Sequence, residues 1–246
     1  MDRLCCTIFM ICILYTPGVL LCAQEEILLR SHALYNQQSY QEALQLYDTL
    51  NNKGAAVWYT MGKCSMALQQ YGQARLFFER ARRTASRNLY TAIKKNIADV
   101  MDHMHCKEYS CTMDAFIARV HDYSRTVPLL LLQIFFLGMW ISMLVLMRSA
   151  WMPWRRMVIC VGSMLLLCIA LFLIARYYTQ TRMLGVVLES DTVVYAGPNE
   201  HYHEIGKVHE AECVPIIRKN GAWYNITADC GAGWVKQGVV MAVSSE

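Results

Sequence analysis

Tyr40-Gln-Glu-Ala43-Leu-Gln-Leu-Tyr47 and Tyr71-Gly-Gln-Ala74-Arg-Leu-Phe-Phe78 are the same pattern written twice, 31 residues apart. In each copy an aromatic, a small residue and a second aromatic fall at helical spacing, so each copy predicts a helix with one apolar face. Upstream of the second copy stand Trp58, Met61 and Gly62, and downstream stands Ala81. Residues 25–103 contain no proline and are rich in Ala, Leu, Gln, Tyr and Arg, which extends the helical expectation over the whole segment. A third helix, from Asn88 to about His103, is expected to cap the stack, with Asn88 as its N-cap.

Outward from the repeats the chain changes character three times. Hydrophobic residues make up 55% of the 246 residues against 17% charged, and the excess is concentrated near residues 4–22, 127–147 and 157–175. The first block follows Arg3 and precedes Cys22-Ala-Gln-Glu25, the pattern of a secretory signal ending after Ala23, with an uncleaved anchor or a lipid-modified Cys22 as alternatives. Between Arg125 and Arg148 lie 22 residues without a charge, and between Arg156 and Arg176 lie 19. Each is long enough as a helix to cross a hydrocarbon layer of about 30 Å. The connection 148–156 carries Arg148, Arg155 and Arg156, which the positive-inside rule places in the cytoplasm. Both flanking segments are then expected outside it.

After Arg182 the periodicity becomes alternating. Strands are expected near 184–188, 192–195, 212–218, 222–227 and 232–236, with turns at Gly197-Pro198 and Asn220-Gly221. The expected fold class is a multidomain membrane protein: all-α helical repeats, a two-helix transmembrane hairpin and a C-terminal all-β barrel. The expected boundaries are signal 1–23, repeats 24–105, linker 106–126, transmembrane helices 127–147 and 157–175 around a cytoplasmic loop 148–156, and the barrel 183–246.

The second repeat, with Trp58, Gly62, Tyr71, Ala74, Phe78 and Ala81, resembles the tetratricopeptide pattern, although its period is three residues short of the usual ~34. Val193-Val-Tyr-Ala-Gly-Pro198, Tyr202, Ile205-Gly206, Gly221-Ala-Trp-Tyr224 and Gly233-Trp-Val235 are similar to bacterial SH3-like domains in order and spacing. Ala211 departs from a preferred glycine, and Tyr195 from an arginine found in many wall-associated members. In its order of parts the chain resembles BatE, a component of the bacterial Bat aerotolerance operon. That resemblance implies a scaffold in the inner membrane with both soluble domains periplasmic. It also implies membrane-protein partners carrying von Willebrand factor A domains.

Candidate partner-binding residues are Tyr35, Gln38, Tyr59 and Lys63 in the repeats, with Trp58 beside them. In the barrel they are Pro198, Tyr202 and Tyr224, while Trp223 and Trp234 are expected to be core or half-buried barrel residues. Cys106 and Cys111, five apart, and Cys213 and Cys230 are candidate disulfide pairs in an oxidising compartment. The cluster His103, His105, Cys106 and Cys111 matches no justified metal spacing, and exposed loop residues are the plainer account of His201, His203 and His209. The net charge of +4 is small and borne largely beside apolar blocks, so nucleic acid is not indicated. No phosphate loop, nucleophile elbow or metalloprotease helix is present. The expected function is non-enzymatic and cofactor-free: binding partner proteins as an adaptor in contact with the lipid bilayer, or alternatively tethering to peptidoglycan.

Overall fold

A computed structural model describes residues 24–104, 129–148, 155–181, 183–228 and 230–244. Its helices are α1 (24–36), α2 (Tyr40–Asp48), α3 (Ala55–Ala67), α4 (Tyr71–Thr84), α5 (Arg87–Met104), α6 (Leu129–Arg148) and α7 (Arg155–Thr181). The strands are β1 (Met183–Val187), β2 (Thr192–Tyr195), β3 (Glu204–Val208), β4 (Cys213–Asn220), β5 (Trp223–Ala228), β6 (Gly231–Lys236) and β7 (Val240–Ala242). The chain forms two compact units, one holding α1–α5 together with every strand, the other holding α6 and α7.

The 31-residue offset is visible in backbone geometry. Gln38 and Gln69 both take positive φ, 63° and 60°, at the end of the first helix of each pair. Gln38 N–H donates to Tyr35 O and Ser39 N–H to Leu34 O, while Gln69 N–H donates to Met66 O and Gln70 N–H to Ser65 O. These are helix-terminating turns that satisfy the last carbonyls, made in duplicate on residues that must adopt a left-handed conformation. Each turn sends the chain back along the helix it has just left. At the heart of the second pair, a Cβ added to Gly62 would lie 2.6 Å from the Phe78 ring, so only glycine admits the aromatic there. In the first pair the same place is taken by Ser31, buried, with its hydroxyl donating to Ile27 O at 2.6 Å. On α5, Ile93, Ile97 and Val100 form one stripe against Ala74, Phe78 and Ala81. Tyr90 N–H donates to Ser86 O, so Ser86, and not Asn88, precedes the first turn of that helix.

Seven strands form one antiparallel sheet in the order β3-β2-β6-β5-β4-β1-β7. The expected five-stranded, nearly closed barrel is corrected on two counts. β3 and β7 are additional strands, and they stand at opposite edges without pairing, so the sheet is not closed. Both escaped the sequence pattern for a physical reason: Gly206 interrupts β3, and β7 has only three residues, too few to show alternation. The core of the sheet is Val187, Val194, Val208, Val214, Ile216, Ile226 and Val235.

The expected transmembrane hairpin is likewise corrected. Among the described residues, no helix is long and apolar enough to cross a membrane. The first apolar helix, α6, spans 20 residues from Leu129 and ends on Arg148, with Gln133 and Ser142 inside it. The second helix begins on Arg155-Arg156 and continues through Arg176 to Thr181, beyond the apolar run. The multi-pass inner-membrane location, with both flanking domains exported, rested on those two spans and falls with them. The expected signal segment 1–23 lies outside the described residues.

Helical layer and sheet meet along α4. Leu76 packs with Val186 and Val243, and Ala211 joins the cluster of Ala74 and Phe78. Gln70, which precedes α4, supplies no side-chain cap. The cap comes instead from the sheet side, where the Glu210 carboxylate accepts the Gly72 N–H at 2.8 Å across 138 residues of sequence. A carboxylate there satisfies an otherwise orphaned donor and faces the positive end of the helix dipole. Along the same helix, Arg80 Nη2 donates to Ala242 O of the edge strand β7 at 3.1 Å.

Candidate functional site

α1 and α3 bring three of the four repeat candidates together. Lys63 Nζ lies 5.0 Å from the centre of the Tyr35 ring and 5.9 Å from that of Tyr59, a cation held between two aromatic faces. A hydrogen bond to Tyr35 holds the Lys63 ammonium above the usual lysine range, against the opposing pull of burial, so the charge is firmly kept. Tyr59 is fixed from the far side by Asn96 of α5, whose Nδ2 donates to the Tyr59 hydroxyl at 3.1 Å, and the Tyr59 ring packs on Phe78. Tyr35 is braced edge-on by Tyr40, with ring centres 5.8 Å apart. Gln38 is exposed in the left-handed turn at the end of α1, three residues beyond Tyr35. The arrangement offers a persistent positive charge flanked by ring faces, which suits an anionic group carried on an apolar segment.

Trp58 has a different task. Its ring stacks on Phe77, with Lys53 Nζ 5.4 Å and the Arg80 guanidinium carbon 4.9 Å from its centre. Since Arg80 also holds the edge of the sheet, Trp58 belongs to the joint between layers and not to the Tyr35–Lys63–Tyr59 site.

On the sheet the structure overturns one expectation. Tyr224, taken as an exposed candidate, is 8% exposed and packed in the core with Ile226 and Val235. Trp223 and Trp234, expected as core or half-buried residues, are half-buried on the outer face, where Trp223 meets Tyr195 edge-on at 5.7 Å. The signal was present in the alternation: Tyr224, Ile226 and Ala228 form the apolar set, and Trp223, Asn225 and Thr227 the mixed one. Tyr202 is 53% exposed, its ring lying over Gly197 next to half-buried Pro198.

The thiols divide in the same way. Cys213 packs with Leu76 and Val243 on the side facing the helices, whereas Cys230 lies against Gly206 and the sheet core. Occupying different clusters, they do not form the expected bridge. Cys106 and Cys111 lie outside the described residues. Cys64, buried among Ala43, Tyr47 and Met61, has its thiol pushed up to about 11 by burial. It should therefore react with iodoacetamide at pH 8 at least about tenfold more slowly in the folded protein than in urea, because the thiolate is the nucleophile; peptide mapping after timed labelling measures this. Burial also raises the Tyr47 phenol, which shares a 2.9 Å hydrogen bond with His32 Nδ1.

Among the described residues, no group of three or more His, Cys, Asp or Glu is placed to hold a metal ion. His209 Nδ1 and Asp191 Oδ1 are 3.9 Å apart on the surface. No protein-family model and no curated protein matches the chain.

Proposed function

We propose that the chain is a non-enzymatic adaptor that binds an acidic segment of a partner protein on its helical layer. The observation that carries this reading is Lys63 framed by Tyr35 and Tyr59, a charge that is kept protonated and presented between apolar faces. The sheet supports the reading by bracing α4, which leaves the Tyr35, Tyr59 and Lys63 side chains of α1 and α3 outside the joint. The likeness to BatE makes a von Willebrand factor A domain the first partner to try.

Fluorescence anisotropy with labelled acidic peptides, for example a Leu-Glu-Leu-Glu repeat, tests the site. Lys63→Ala should weaken binding about tenfold, as expected for a central charged anchor, while Lys63→Arg should retain most of it. Equal binding by wild type and Lys63→Glu would remove the helical site from consideration.

A further inference from the structure

The strand register lines up five side chains in a single row across the outer face of the sheet. Glu204 stands opposite Tyr195, Tyr195 opposite Trp234, Trp234 opposite Asn225, and Asn225 opposite Arg218. Directly opposed residues in an antiparallel pair share a face, so the row reads acid, aromatic, aromatic, amide, base. Adjacent strands are about 4.8 Å apart, which puts the two charges roughly 19 Å from each other at its ends. Trp234 occupies the middle position, and Trp223 fills in beside Tyr195. At both ends a register shift skips one residue, Ile205 near Glu204 and Ile217 near Arg218, and both isoleucines are exposed. The bulges are what bring Glu204 and Arg218 into register with the row.

We propose that this face binds the same face of a second copy of the chain about a two-fold axis parallel to the strands and passing near Trp234. The charges select both the occupant and the axis. A rotation about that axis reverses the row, setting Glu204 of each copy over Arg218 of the other, with aromatic rings between them. An axis along the row would stack Glu204 on Glu204 and Arg218 on Arg218, which like-charge repulsion opposes. A uniformly acidic or basic ligand would meet repulsion at one end. The other cation beside the aromatics, Lys236, is already paired with Glu200, whereas neither Glu204 nor Arg218 has an ion-pair partner among the described residues. Face-to-face sheets lie about 10 Å apart, within the combined reach of glutamate and arginine side chains. The patch is small for an obligate interface, so a reversible dimer follows.

Sedimentation velocity of the full-length chain over a concentration series tests the proposal, with Glu204→Arg, Arg218→Glu and the double variant. Both positions of change are exposed, and circular dichroism checks that each variant keeps its fold. The expected result is a concentration-dependent dimer whose dissociation constant rises about tenfold with either single reversal and returns to within about threefold of wild type in the double variant. A chain that stays monomeric, a dimer indifferent to both reversals, or a double variant as weak as the sum of the singles overturns it. So does a monomer whose Trp234 fluorescence responds instead to a glycan or peptide probe.

Discussion

Glu79→Ala is expected to destabilise the helical unit by about 3–5 kcal/mol, the range found when one partner is removed from a buried ion pair. Glu79 is 2% exposed and Arg75, one turn earlier on α4, is 3% exposed; their side chains meet at 2.9 Å. Arg82 reaches the second carboxylate oxygen at 2.8 Å from a position that is 32% exposed. When the carboxylate is removed, Arg82 turns to solvent, but Arg75 stays buried without a counter-charge. That residue carries the cost. Replacing Arg75 and Glu79 together by Met and Leu should recover most of the loss, since a buried pair contributes little net stability over apolar residues of similar size.

Acid titration gives the same pair a second readout. Burial pushes the Glu79 carboxyl upward, but Arg82 and Arg75 outweigh it and hold the group below the usual carboxylate range. A carboxyl lowered in the fold binds its proton first in the unfolded chain, so stability is present above the unfolded value of about 4.3 and drains away as the pH falls through the folded one. Urea midpoints measured from pH 7 to pH 3 should fall in the wild type, and fall less steeply in the Met–Leu double variant.

Gly72→Val should cost about 2–3 kcal/mol by overpacking and should act on the joint between layers. A Cβ at Gly72 would lie 2.9 Å from Leu188 Cα and 2.9 Å from Val187 O, both backbone atoms that no rotamer change can move. The sheet must retreat, which breaks the Gly72–Glu210 hydrogen bond and loosens Leu76 from Val186 and Val243. Native-state hydrogen exchange should show lost protection at the start of α4 and along β1, with α1–α2 retained. Gln73→Val, one residue on and exposed, should stay within about 0.5 kcal/mol of wild type. Equal effects at the two positions would mean that the substitution acts through helix propensity and not through the joint.

Much of the local structure was legible because it depends on short-range periodicity. The duplicated Tyr–Ala–aromatic pattern announced paired helices, while the approach of Phe78 to Gly62 emerged from the packing of α3 on α4. The change to alternation after Arg182 announced strands, and the alternation within 223–228 already separated Tyr224 from Trp223. Tyr35, Tyr59 and Lys63 could be named only as candidate groove residues of the repeats. The cation between two rings needed their side-chain geometry.

What the linear pattern determined about this protein is the segmentation into helices and strands and which side of each is apolar, since period and composition act within a few residues. Only the tertiary structure decided that α4 docks on the sheet, that Glu210 caps a helix 138 residues away, that the sheet stays open, and that neither apolar helix meets the requirement for a membrane span. Those outcomes depend on contacts between segments distant in sequence and on where each helix starts and stops. The energies that set them, a shared carboxylate, a missing Cβ and a register shift of one residue, leave no periodic trace along the chain.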